Sequence, residues 1–210
     1  MGQYYVIVNL DKKEMINPLN YGNGLKLTEW AFSNANTVKL FMSLMLTSWR
    51  GDRVYITGDY AAPGEDSNGN AGEVWKRAYD EAIKDLNEKN LFECSYNCEN
   101  ALLTEDITEK EYHYIYNHAR KEYINLDNCP QEVWLADGFK PEHIYFSPLV
   151  LLLAMGNGRG GGDYRNPENM RFCGLWAETV TDIEITETPL DVDYVEFKPD
   201  FSENYLFKDN

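Results

Sequence analysis

Apolar and polar residues alternate with the period of a β-strand in several short stretches of the chain. Tyr4–Asn9 is a β-rich apolar run, and the DKKE and MINP segments after it read as a turn and a returning strand. DRVYITGDY (52–60), VTDIEIT (180–186) and DVDYVEF (191–197) alternate in the same way. Between the first two lies a helix pattern: Asn34 or Asn36 can cap it, and Lys39, Ser43 and Thr47 recur every four residues among Leu, Phe, Met and Trp49. One narrow polar stripe predicts a helix buried on most sides.

A stretch rich in Pro, Gly, Asn and Asp (62–72) precedes a change of pattern. Val74, Trp75, Ala78, Tyr79, Ala82, Ile83 and Leu86 form one amphipathic helical face. A second helix is expected from Thr108, where Thr108 and Glu111 make a capping box and Tyr112, Ile115, Tyr116 and Ala119 line one side. These patterns predict an α+β fold, with a mixed or antiparallel sheet packed with helices. The expected division is a core of 1–62 and 123–210, interrupted by a helical insertion at 63–122.

The chain also echoes itself. INLDN at 124–128 matches VNLDK at 8–12, and the apolar run Leu149–Met155 precedes Leu175, Trp176 and VTDIEIT as the first buried helix precedes Ser48, Trp49 and DRVYIT. A duplicated β-α-β unit and chance similarity are both open at this point.

The formal charge is -16, and its distribution says more than its total. Residues 1–60 hold six Lys/Arg and five acids, whereas the remaining 150 residues hold 13 basic and 30 acidic ones. A negative field of this kind disfavours direct binding to nucleic acid or anionic membranes, and steers basic proteins inward. The longest apolar run, Leu149–Met155, is far below the roughly 18 residues a membrane span needs. The start, MGQYYVIVNLD, has no charged leader before an apolar core, so cytoplasmic residence is expected. Four cysteines in such a compartment point to free or metal-bound thiols.

Three constellations could carry chemistry. Phe92-Glu93-Cys94-x3-Cys98-x14-His113-x4-His118 resembles a two-cysteine, two-histidine zinc finger over residues 92–118. The resemblance implies a structural zinc ion held by Cys94, Cys98, His113 and His118; the alternative is that the four are ordinary buried or solvated residues. Gly156-Asn157-Gly158-Arg159-Gly160-Gly161-Gly162-Asp163 contains GxGxxG, but Asp-Tyr-Arg-Asn-Pro follows it where a dinucleotide site needs a helix. With Arg165, this basic island still suits an anion or nucleotide held by Gly156, Gly158, Arg159, Gly161, Asp163 and Arg165. Near the end, Asp182 and Glu184 share one strand face, and Asp191 and Asp193 repeat the arrangement. Paired as a hairpin, the two segments would crowd like charges, which a basic protein partner would relieve.

MGQYY, NLDKKE, GLKLTEW, SWRGDRVYITGDY and GNGRGGGDY together resemble an uncharacterised family of bacterial and bacteriophage proteins. The resemblance covers the first 60 residues and the glycine loop, and implies a bacterial-host setting without a mechanism. The leading expectation is therefore a non-enzymatic acidic binding protein, such as a phage-encoded inhibitor of a host nucleic-acid-handling or defence protein. The alternative is a nucleotide-binding or nucleotide-processing protein that uses 156–163.

Overall fold

A central strand flanked on both sides by antiparallel neighbours forms twice in the chain. A computed structural model describes residues 3–61, 71–84, 86, 90–102, 111–129, 145–156 and 172–198. In the first sheet β1 (Tyr5–Asn9) returns as β2 (Glu14–Ile16), and β3 (Val54–Gly58) pairs with the other edge of β1, both antiparallel. The short β4 (Glu99–Asn100) runs parallel to β2. In the second sheet β5 (Tyr114–Asn117) returns as β6 (Glu122–Asn125), β8 (Ile183–Thr186) pairs antiparallel with β5, and β9 (Val195–Glu196) runs parallel to β6. A fifth strand, β7 (Ala154–Met155), extends the first sheet beside β3. The orders are β4-β2-β1-β3-β7 and β8-β5-β6-β9, an α+β arrangement of two mixed sheets.

The two sheets are copies of one plan. Residue 7 pairs with 16 and 56 in one, and 115 pairs with 124 and 185 in the other, all six being isoleucine. Outside the strands the match continues. Glu99 N donates to Lys13 O and Ala101 N to Met15 O, as Val195 N donates to Lys121 O and Phe197 N to Tyr123 O. Leu10 N to Arg53 O has its counterpart in His118 N to Asp182 O. The correct offset between the hairpins is therefore 108, not the 116 implied by matching INLDN to VNLDK. At 108, seven of the fourteen positions from 4 to 17 are identical: Tyr4, Ile7, Asn9, Lys13, Glu14, Ile16 and Asn17.

Those identities mark a structural device used in both halves. Asn9 is fully buried; its Oδ1 accepts from Asp11 N and Lys12 N at 3.0 Å, closing the turn of the first hairpin. Asn117, also fully buried, accepts from Arg120 N at 3.1 Å. Each turn ends on a lysine in the left-handed region, φ 55 at Lys13 and 54 at Lys121, which are the non-glycine residues with positive φ among those described. Lysine costs about 1 kcal/mol there, so the turn is held by its hydrogen bonds. The next residue is glutamate, and it receives a buried indole: Trp49 Nε1 to Glu14 Oε2 at 2.6 Å, Trp176 Nε1 to Glu122 Oε2 at 3.1 Å.

The halves meet about an approximate two-fold axis. Ser33 N donates to Tyr145 O and Ser147 N to Ala31 O, so Ala31-Phe32-Ser33 and Tyr145-Phe146-Ser147 form the reciprocal pairing expected of an isologous contact. The rings of Phe32 and Phe146 meet edge-on at 5.6 Å. Helix α2 (Asn36–Leu46), which follows the short α1 (Leu27–Trp30), packs against β8 of the other half. Reciprocally, helix α5 (Pro148–Leu153) packs against β3. Each half thus lends its helix to the other.

As its pattern predicts, α2 is buried on most sides, and Ser43 of its polar stripe is buried as well. Its N-cap is Ala35, which has no side-chain acceptor, rather than Asn34 or Asn36. The segment 63–122 supplies helix α3 (Ala71–Ile83), which buries Trp75, Ala78, Tyr79 and Ala82 as expected. It also supplies α4 (Leu91–Cys94) and one strand to each sheet. The helix expected to run through Tyr112, Ile115 and Tyr116 is instead strand β5; residues 103–110, with its proposed cap at Thr108, lie outside the described residues. No helix among the described residues is long and apolar enough to cross a membrane.

Candidate functional site

The outer face of the second sheet gathers most of the residues that could engage a ligand. Tyr114, Tyr116 and His118 lie two residues apart along β5 and its exit. Tyr116 stacks with Tyr114, Tyr123 and His118 at centroid distances of 6.2, 5.6 and 6.3 Å. Tyr194 closes over them edge-on, and the Tyr116 hydroxyl accepts from Leu190 N at 2.8 Å. His118 Nε2 meets Glu184 Oε2 at 2.8 Å and its Nδ1 meets the Tyr194 hydroxyl at 3.1 Å. The other Glu184 oxygen receives Arg50 Nη2 at 2.7 Å. Both ring nitrogens and both carboxylate oxygens are engaged, so this cluster acts as a fastening between Arg50 of one half and β8 of the other.

Glu184 is accordingly not part of a free acidic ladder. Ile183 and Ile185 face the core as the alternation predicts, but β8 pairs with β5, and residues 191–193 are not in a strand. The hairpin that would have stacked Asp182 and Glu184 on Asp191 and Asp193 does not form. What remains is a series of exposed carboxylates, Asp182, Glu187, Asp191 and Asp193, none in an ion pair among the described residues. Val192 and Val195 are exposed beside them, Val195 by 72%.

The four expected zinc ligands occupy separate surroundings. Cys94 ends α4 and Cys98 follows the single 3-10 turn Ser95–Asn97; their thiols donate to Asn90 O and Cys94 O at 3.4 and 3.3 Å. Burial pushes the Cys98 thiol up, against formation of the thiolate that a metal requires. His113 meets Asp127 at 3.0 Å on the far side of the molecule's second hairpin, and His118 is held by Glu184 and Tyr194. Among the described residues no three His, Cys, Asp or Glu side chains come together as a metal-holding group.

Of the glycine loop, Gly156 alone is described; Gly158, Arg159, Gly161, Asp163 and Arg165 lie outside the described residues. A Cβ at Gly156 would stand 2.0 Å from the Tyr5 hydroxyl, so close packing on β1 explains this glycine without a ligand. Asp52 and Asp59 act as turn and cap residues: Asp52 accepts from Asn9 Nδ2 at 2.8 Å and pairs with Lys12, and Asp59 accepts from Tyr4 N at 3.0 Å.

Residues missed by sequence reasoning include Arg50, Tyr116 and Tyr194. The HYIYNH run (113–118) carried the signal, since alternating aromatic residues on a strand share one face. The fold and this face define a duplicated α+β protein with an aromatic, carboxylate-edged second half. Comparison of the chain with models of known families, with curated proteins and with solved structures gives no match.

Proposed function

We propose that the protein is a non-enzymatic binding protein whose second half engages a basic protein surface. The observation that carries this reading is the exposure, in one stretch of chain, of the unpaired carboxylates Asp182, Glu187, Asp191 and Asp193 together with Val192 and Val195. Exposed apolar side chains interspersed with unpaired charge suit a protein interface, where burial supplies affinity and the charges supply steering and register. The net charge of -16 strengthens attraction to a cationic partner and opposes direct contact with nucleic acid. The resemblance to bacterial and bacteriophage proteins suggests the bacterial cytoplasm as the setting and a host nucleic-acid-handling or defence protein as the target, which the chain would inhibit by occupying its basic surface.

The test is affinity capture from bacterial lysate with the native chain and with Asp182→Lys, Glu187→Lys, Asp191→Lys and Asp193→Lys combined. A partner should be retained by the native chain at low salt, released as ionic strength rises, and absent from the reversed chain. Retention of the same protein by both chains contradicts the reading.

A further inference from the structure

The first sheet carries a recess where the second sheet carries stacked tyrosines. Positions 6 and 15 are Val and Met in the first half, where 114 and 123 are Tyr in the second, and space remains between this face and the α4 segment that covers it. That space is a recess of about 600 Å³ between β1, β2 and α4, within the range of small-ligand sites. Its walls are Tyr4, Val6, Phe92 and Tyr96, with Phe92 and Tyr96 edge-to-face at 6.0 Å. Tyr96 is 75% exposed at the rim.

The charges in the lining have one sign. Asp59 and Glu93 line the recess, and no lysine or arginine does among the described residues. Neither carboxylate takes part in an ion pair there, and the Glu93 side chain has no hydrogen-bond partner among the described residues. Lys13, whose charge reaches Cys98 at one end, is not part of the lining. Aromatic faces with unpaired carboxylates attract a cation that has a flat or apolar body, through the ring quadrupoles and a charge-assisted hydrogen bond.

We infer that this recess binds an organic cation, an ammonium or guanidinium group on a flat or apolar body, with Glu93 as its counter-ion and Tyr4, Phe92 and Tyr96 as its walls. The site is separate from the acidic edge of the second half and does not depend on it.

Titration calorimetry of the full chain tests the inference with phenethylammonium, its anionic analogue phenylacetate, and the peptide acetyl-Gly-Arg-Gly-amide. Saturable binding of a cationic probe and none of phenylacetate is expected, with Glu93→Gln weakening it about tenfold. Tyr96→Ala, at an exposed rim position, should weaken it as well with folding intact. Binding of the peptide alone assigns the cation to a partner's side chain, and binding of phenethylammonium alone assigns it to a free amine; either supports the site. Equal binding of phenylacetate, unchanged affinity in both variants, or no saturation of any cation below roughly 10 mM overturns it.

Discussion

The two halves share a backbone and differ in what covers it. On the outer face of the first sheet, Val6, Val8 and Met15 form an apolar cluster beneath Phe92 and Cys98, with α4 laid across them. On the same face of the second sheet, Tyr114, Tyr116 and Tyr123 stack beneath Tyr194, and His118 stands where the first half has Leu10. Against this divergence the Asn, Lys, Glu and Trp of each hairpin box hold the same positions and hydrogen bonds. The lesson is that the buried polar box defines the repeat, because its groups are costly to leave unpaired, while the outer faces were free to take on separate chemistry.

The largest effects should come from removing the box's indoles. Trp49→Ala and Trp176→Ala each open a cavity where a fully buried side chain stood; the first also takes the indole N–H from Glu14, whereas Glu122 keeps its ion pair with Arg120. Each should cost about 3–5 kcal/mol in urea unfolding; similar losses in the two halves support equivalence, and a negligible loss in one half breaks it.

Asn9→Ala and Asn117→Ala come next. Both residues are buried and both leave turn N–H groups without an acceptor, so each should cost about 2 kcal/mol. Asn9 serves two backbone N–H groups and Asn117 one. The first-half variant should therefore be the weaker protein of the two.

A smaller effect separates the halves by pH. The Arg53 guanidinium, at 2.6 and 2.9 Å, holds the Asp11 carboxyl below the usual carboxylate range. A depressed folded-state value gives stability that is present above the ordinary Asp value of about 4 and is lost as pH falls below it. The corresponding positions in the second half are Ala119 and Asp182, so no such pair exists there. Arg53→Ala should flatten the acid limb of the stability curve slightly, since the pair is exposed, and Asp182→Ala should leave it unchanged.

Much of the fold was legible from the chain, and the misreadings have physical causes. The alternation in β8 and the apolar face of α3 survive because the two sides of each element meet different environments, whereas β1 and β3 are buried on both sides. Strand β5 carries a helical signal because Tyr112, Ile115, Tyr116 and Ala119 fit a helical period, while its β-prone Tyr-Ile-Tyr core and the Asn117 turn favour a strand once β6 and β8 flank it. The sequence echo points to an offset of 116 rather than 108 for a chemical reason. Asn9-Leu10-Asp11 and Asn125-Leu126-Asp127 are both turns in which Asn accepts the N–H two residues on, at 3.0 Å in each, so like letters reflected like local chemistry at non-equivalent places. The reciprocal loan of α2 and α5 and the Arg50–Glu184–His118 fastening join residues far apart in sequence, and no local pattern announces them.

The central claim is that two equivalent halves are interlocked by exchanged helices into one cooperative unit. It is tested most directly by producing residues 1–106 and 107–210 as separate chains and following each, and their mixture, by circular dichroism and sedimentation. The account predicts that neither chain shows a cooperative unfolding transition alone and that mixing restores a one-to-one complex with the spectrum of the intact protein. A stable, cooperatively folded fragment 1–106 that ignores its partner would contradict it.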